Sequence, residues 1–304
     1  MRSSARGRAG AVVWDVARPE RPSRVPGVSM AGFRDRGTAA AGHRAVPHPA
    51  VSLALEFGTG PLIVDDASGR QRRGSLVAGV GFGFGAVRVR GENFEAVQVR
   101  LSPVVAHAIL GVSPAELDGA VVSLDEVWGR EASRIGERLG EASSWEERFA
   151  LTDALLARRC GRGVPVDPEV AWAWERIAAG RGLVRVDALA AEVGWSRKRL
   201  WSRFRSQIGL PPKRAARLVR FDHAAHRLVA GGDVARVAAE SGYADQSHLH
   251  RETVAFTGVT PVALAGEPWL AVDDIAWADH ATGAAERGRS VSAGTRGDGE
   301  PALA

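Results

Sequence analysis

The chain has 304 residues, 45% of them hydrophobic, with 40 Lys and Arg against 35 Asp and Glu for a formal net charge of +5. That length supports two domains of ordinary size with tails to spare, and so small a charge excess means that any anion-binding face must come from local clustering of arginines. A single cysteine, Cys160, excludes an intrachain disulfide framework and a multi-cysteine metal site, and no apolar run reaches the roughly 20 residues that cross a bilayer, so the chain reads as soluble and cytoplasmic.

Residues 1–45 are largely Arg, Gly, Ala, Pro and Ser with little periodicity, a composition that buries too little apolar area to offset chain entropy and predicts a disordered extension. Met30, the only methionine besides Met1, offers a second translation start within it. Residues 46–165 form the next unit. From Pro49 to Leu101 the pattern has period two: Val51, Leu53, Leu55 and Phe57 share one side, Val87 and Val89 alternate with Arg88 and Arg90, and Phe94, Val97, Val99 and Leu101 continue the series. Glycine-rich breaks at 58–60 and 79–85 divide these runs, and a small β-sheet or barrel is the economical reading.

After Pro103 the period moves towards 3.6. Helices are predicted to start at Ser113-Pro114, at Ser144 with Glu147 at the capping-box spacing, and at Asp167-Pro168. Trp145, Phe149, Thr152 and Leu156 share a face of the helix ending near Cys160, and Trp174, Ile177 and Ala178 mark the next. The fold class is therefore α+β, with an all-α C-terminal domain over 166–270 and a second disordered tail over 271–304.

Within the C-terminal domain, Val186, Leu189, Ala190 and Val193 form an apolar stripe that ends at Gly194, and Ser196 caps a second helix with Leu200 and Phe204 inward. In a helix-turn-helix unit the second helix enters the major groove. The 100° step per residue places Lys198, Ser202 and Arg205 opposite Leu200 and Phe204, with Arg199 and Trp201 on the flanks and Arg197 at the start. Arg203, Lys213, Arg214, Arg217, Arg220 and Arg227 add positive charge against a lone local acid, Asp222, and Arg217 is the expected phosphate contact. Pro211-Pro212 opens a connecting helix whose Leu218, Phe221, Ala225 and Leu228 face inward, ending at Gly231-Gly232. The first pattern then returns: Val234, Val237 and Ala238 lead to Gly242-Tyr243, and Asp245 caps a helix with Leu249 inward and Gln246, Ser247, His248, His250 and Arg251 outside or on the flanks.

Through LAAEVGWSRKRL, GLPPK, SGYADQSHL and the GVTP at 258–261, the segment resembles the AraC/XylS family of bacterial transcription regulators. The resemblance implies two helix-turn-helix units on a rigid connecting helix, placing two recognition helices in successive major-groove faces of double-stranded DNA. It assigns DNA contact to Lys198, Trp201, Ser202 and Arg205 in the first unit and to Gln246, Ser247, His248, His250 and Arg251 in the second. Two departures stand out. Ser202 occupies a place where the family usually has Arg, and Thr253 one where it usually has Phe, with Phe256 on nearly the same face to fill the core. The upstream stretch, with HPAVSLALEFG and SSWEERFALTDALLARR, is similar to the N-terminal region of one actinobacterial-type branch; small β-barrels that bind effectors or dimerise are the family-level expectation. RNA polymerase, a small-molecule effector of unknown kind and a second copy of the chain are the further candidate partners.

Other readings compete at particular residues. Some relatives repair alkylated DNA through a cysteine, but Cys160, set between Arg158-Arg159 and Gly161-Arg162, lacks the Pro-Cys-His-Arg context and reads as incidental, so no enzyme, cofactor or metal is expected. The glycines at 79, 81, 83 and 85 lack the strand, helix and following acid or lysine of a phosphate loop. His248 and His250 lie about 200° apart around a helix, and His223 with His226 has metal-ligand spacing but no third ligand. A protein that uses a degenerate helix-turn-helix fold to dock a partner remains the alternative of another class.

Overall fold

The computed structural model describes residues 4–9, 12–35, 42–66, 69–83, 87–91, 93–117 and 120–267, together with 270, 276 and 277. Ten strands come first: β1 (Ser4–Ala9), β2 (Val12–Ala17), β3 (Val28–Asp35), β4 (His43–Ala45), β5 (Val51–Glu56), β6 (Ile63–Asp65), β7 (Gln71–Arg73), β8 (Leu76–Ala78), β9 (Val87–Arg90) and β10 (Glu95–Leu101). Helices α1 (Pro103–Leu110) and α2 (Pro114–Leu117) precede the short β11 (Val121–Ser123), and α3 (Leu124–Trp128), α4 (Arg130–Glu141) and α5 (Trp145–Cys160) complete the N-terminal region. Among the described residues the strands form two antiparallel sheets, ordered β1-β2-β3-β10-β5-β8-β11 and β4-β9-β6-β7.

The middle of the larger sheet, from β3 through β10 to β5, buries both faces, and period two decides which residue goes where. On β10, Val97, Val99 and Leu101 join Met30 of β3 and Leu53 and Leu55 of β5 against the helices, while Ala96 joins Ala31 and Phe33 towards the smaller sheet. Register supports this: Val99 lies opposite Met30 on one side and Leu53 on the other. Between the sheets is a cavity of about 90 Å³ lined by Phe33, Leu62, Val87 and Phe94, with Ser52 and Gln98 as its polar side chains.

The expected disorder of residues 1–45 is overturned where the structure describes them. β3 lies between β2 and β10, and Met30 is only 5% exposed. The composition misled because a strand needs only alternate apolar residues, and the partners of Val28, Met30 and Phe33 lie far along the chain. Gly32 is a packing requirement: a Cβ there would fall 2.3 Å from the indole of Trp145 on α5. A chain begun at Met30 would lack Val16, Ala17, Val25 and Val28, all buried. In the tail, expected to be disordered from 271, Ala276 and Trp277 are buried, with the Arg100 guanidinium 4.4 Å from the Trp277 ring. The rest of 271–304, like residues 1–3, 10–11 and 36–41, lies outside the described residues.

The helix starts fall where the caps predict. Ser144 Oγ accepts from the Glu147 amide, although the Glu147 carboxylate takes the Ser143 amide rather than that of Ser144. Among the described residues of the glycine run, Val80–Gly83 forms a 3₁₀ turn. C-terminal to Asp167 run α6 (Pro168–Ala179), α7 (Val186–Glu192), α8 (Arg197–Ile208), α9 (Pro212–Val229), α10 (Val234–Glu240), α11 (Gln246–Thr257) and α12 (Pro261–Ala265). The boundary expected at 165/166 does not divide the core: Ile109 and Leu117 from α1 and α2 belong to the same apolar cluster as Ile208 of α8. Among the described residues no helix is long and apolar enough to cross a membrane.

Candidate nucleic-acid interface

Two helix-turn-helix units, α7–α8 and α10–α11, sit on either side of α9. Both turns pass through a glycine in the left-handed region, Gly194 at φ +66° and Gly242 at φ +73°, where any other residue would be strained. Both recognition helices begin with a side-chain cap: Ser196 Oγ accepts from the Arg199 amide at 3.2 Å, and the Asp245 carboxylate accepts from the His248 amide at 2.6 Å. Each recognition helix has 12 residues, so they align without a gap: Leu200 corresponds to Leu249, Ser202 to Arg251, Arg203 to Glu252 and Phe204 to Thr253.

The first unit presents the face that the sequence predicts. Leu200, Phe204 and Ile208 are buried, and Arg197, Lys198, Arg199, Trp201, Ser202 and Arg205 are all exposed. Trp201 is 48% exposed, so it is no core residue, and Arg205 lies 5.5 Å from its ring. Arg199, itself exposed, sits 4.3 Å over the Trp195 ring of the turn. Arg197 is drawn to Asp187 of α7 at 3.2 Å. Arg203, one residue beyond Ser202, is turned away from this face and forms a bidentate pair with Asp167, both contacts at 2.7 Å. Those hydrogen bonds hold the Asp167 carboxyl below its ordinary range, and Gln207 Oε1 accepts the Asp167 amide at 2.8 Å.

In the second unit Gln246, Ser247, His250 and Arg251 are exposed, whereas His248 is half-buried with its ring edge-on to Tyr243, 5.2 Å between centroids. The missing phenylalanine is compensated as the spacing suggests. Thr253 is fully buried and donates its hydroxyl to the Leu249 carbonyl at 2.8 Å, and Phe256 fills the core against Phe221 of α9 at 4.7 Å. Behind Arg251, the Glu252 carboxylate accepts from Arg217 Nε at 2.8 Å, Arg220 Nη2 at 3.0 Å and the Tyr243 hydroxyl at 3.0 Å. Burial, followed by the Glu252 charge, pushes the Tyr243 hydroxyl well above its ordinary pKa, so it stays a donor.

The basic run is thus less free than its sequence implies. Asp222 is not its only acid: Asp167, Asp187, Glu240 and Glu252 are brought to Arg203, Arg197, Arg227 and Arg217, so Arg217 is an anchor as much as a phosphate contact. Among the described residues, Lys198, Lys213 and Arg251 have no carboxylate partner. His223 is half-buried on α9; burial, with Arg181 and Arg227 nearby, lowers its pKa. No group of three or more metal-ligating side chains occurs among the described residues. Arg158 and Arg159 both pair with Glu131, and Arg159 also caps α1 through the carbonyls of Ile109 and Leu110, so the arginines beside Cys160 serve the fold.

Two residues make contacts that had no signal in the sequence. Ser113, before α2, donates its hydroxyl to the Ser206 carbonyl near the end of α8. Arg44 on β4 donates to the Thr257 carbonyl at the end of α11 at 2.7 Å and pairs with Glu267 at 3.2 Å. The N-terminal region therefore grips both recognition helices at their C-terminal ends and leaves their N-terminal halves open.

Residues 189–266 match the family model of a helix-turn-helix domain. Matched to that model over these residues, the C-terminal region is a helix-turn-helix domain built as two units on one connecting helix. Among curated proteins none matches the sequence. Solved structures with distant likeness include ToxT from Vibrio cholerae O395, 10% identical with a TM-score of 0.43 over 80% of this chain and 99% of that one. The C-terminal domain of AraT, a response regulator from Geobacillus stearothermophilus, is 18% identical with a TM-score of 0.31 over 33% and 85%. The AraC-like transcriptional activator CuxR is 13% identical with a TM-score of 0.31 over 83% and 91%.

Proposed function

We propose that the protein reads two short elements of one DNA duplex, α8 and α11 each entering a major-groove face. The observation that carries this is the pairing of two equivalent capped helices whose polar, outward side chains are exposed at their N-terminal halves. Connecting helix α9, with 18 residues, spans roughly 27 Å at 1.5 Å per residue, a rigid spacer on the scale of one turn of B-form DNA. In this reading Lys198, Ser202 and Arg205 address base edges of one element, and Gln246, Ser247, His250 and Arg251 those of the other. Lys213 and the outward charge of Arg199 meet phosphates, which position the domain without carrying sequence information. The alternative, a surface that docks a protein partner, is disfavoured by unpaired cations on the same side as the exposed polar residues.

Selection of bound sequences from a random duplex pool by the full chain, followed by titration on the winner at two salt concentrations, tests the reading. Two enriched elements about one helical turn apart, with affinity falling steeply as salt rises, is the expected result. Absence of enrichment together with salt-independent binding would replace it with the partner-docking reading.

A further inference from the structure

The two recognition helices carry opposite charges at the same place, Arg203 in α8 and Glu252 in α11, and both are turned from the DNA-reading side into ion pairs. Their surroundings differ. Arg203 is half exposed and meets one carboxylate, whereas the Glu252 side chain is 2% exposed and meets donors from two other elements: Arg217 and Arg220 on α9, and Tyr243 in the turn. Arg217 and Arg220 stand three residues apart on one face of α9, and the Arg220 guanidinium also lies 4.4 Å over the Tyr243 ring. At the place of Phe204 in α8, α11 has Thr253, and its aromatic contact with α9 comes three residues later through Phe256. A buried carboxylate met by two guanidinium groups adds a directional constraint to that packing, because its hydrogen bonds are kept only near one roll and tilt of the helix.

We propose that Glu252 is a positioning residue for DNA reading by the second unit, fixing α11 against α9 and so setting which base edges Gln246, Ser247, His250 and Arg251 meet. The proposal rests on the two-element reading above. Glu252 itself touches no DNA; it acts through the helix that presents its neighbour, Arg251. Removing its charge leaves the first unit untouched, so the effect falls on one element rather than on affinity at large.

The test uses the full chain and two probes: the duplex recovered by selection, and the same duplex with the element read by α11 scrambled. Wild type prefers the intact duplex by about tenfold or more. Glu252→Gln keeps the side chain's shape but removes its charge; it brings that preference close to unity, while affinity for the scrambled duplex and the salt dependence stay as in wild type. A Glu252→Gln protein that keeps the wild-type preference, or one that melts as wild type does yet loses equally on both duplexes, overturns the proposal. Should Glu252→Gln fail to fold, Tyr243→Phe deletes one donor of the three and carries the same test, with a loss of preference of about two- to threefold expected. Wild type showing no preference between the duplexes overturns the two-element reading and the proposal with it, an outcome distinct from the failure of Glu252 alone.

Discussion

The two helix-turn-helix units share a backbone plan and differ in how the recognition helix is secured and what it presents. α8 is held by a full aromatic core residue, Phe204, and an ion pair at the surface; it presents arginines and a lysine. α11 is held by a smaller residue, Thr253, with Phe256 three residues on, and by a buried carboxylate; it presents mostly neutral polar side chains with Arg251 as its cation. One architecture thus tolerates exchange between apolar and ionic anchoring, provided that each buried charge is fully met. In the proposed reading, the first unit supplies electrostatic grip and the second a defined pose.

The largest effect is expected from deleting the anchors. Glu252→Ala strands Arg220 in a partly buried site and should cost about 3–5 kcal/mol of folding stability, whereas Asp167→Ala removes a solvent-screened pair and should cost about 1 kcal/mol or less. Urea unfolding of the two variants measures both; equal costs would erase the distinction between buried and surface anchoring. Next come the DNA-facing side chains. On the selected duplex, Lys198→Ala and Arg251→Ala should each cost about 1–3 kcal/mol and relax discrimination only at the element read by their own helix. Loss at both elements alike, or the same loss on random DNA, would show that these residues meet phosphates instead. The smallest effect sharpens the comparison of the caps. Ser196→Ala should lower stability by about 1 kcal/mol, and Asp245→Ala by a few tenths more, since a carboxylate also complements the positive end of the helix dipole. A Ser196 variant that is the more damaged of the two in thermal unfolding would argue against that dipole contribution.

The units themselves were legible because their determinants are local. The caps Ser196 and Asp245, the turn glycines Gly194 and Gly242, and the stripes through Leu200 and Leu249 all act within one or two helical turns, and even the use of Phe256 in place of an aromatic at position 253 follows from spacing along one helix. Arg217 was half read: its charge was visible, its attachment to Glu252 was not. The N-terminal strands were missed for a related reason. Val28, Met30 and Phe33 are sparse in a Gly- and Arg-rich stretch, and only pairing with β10 turns them into core.

The sequence by itself determined the helices of the two units and their connector, where the recognition helices begin, and which side of each faces outward, because periodicity and capping are properties of neighbours within about four residues. Tertiary structure alone decided which charges are free. It took Arg203 to Asp167 and Arg217 to Glu252, brought Ser113 and Arg44 to the ends of α8 and α11, and drew the first strands into a sheet. Those partners are remote in the chain, and a side chain's charge carries no mark of the group that will meet it.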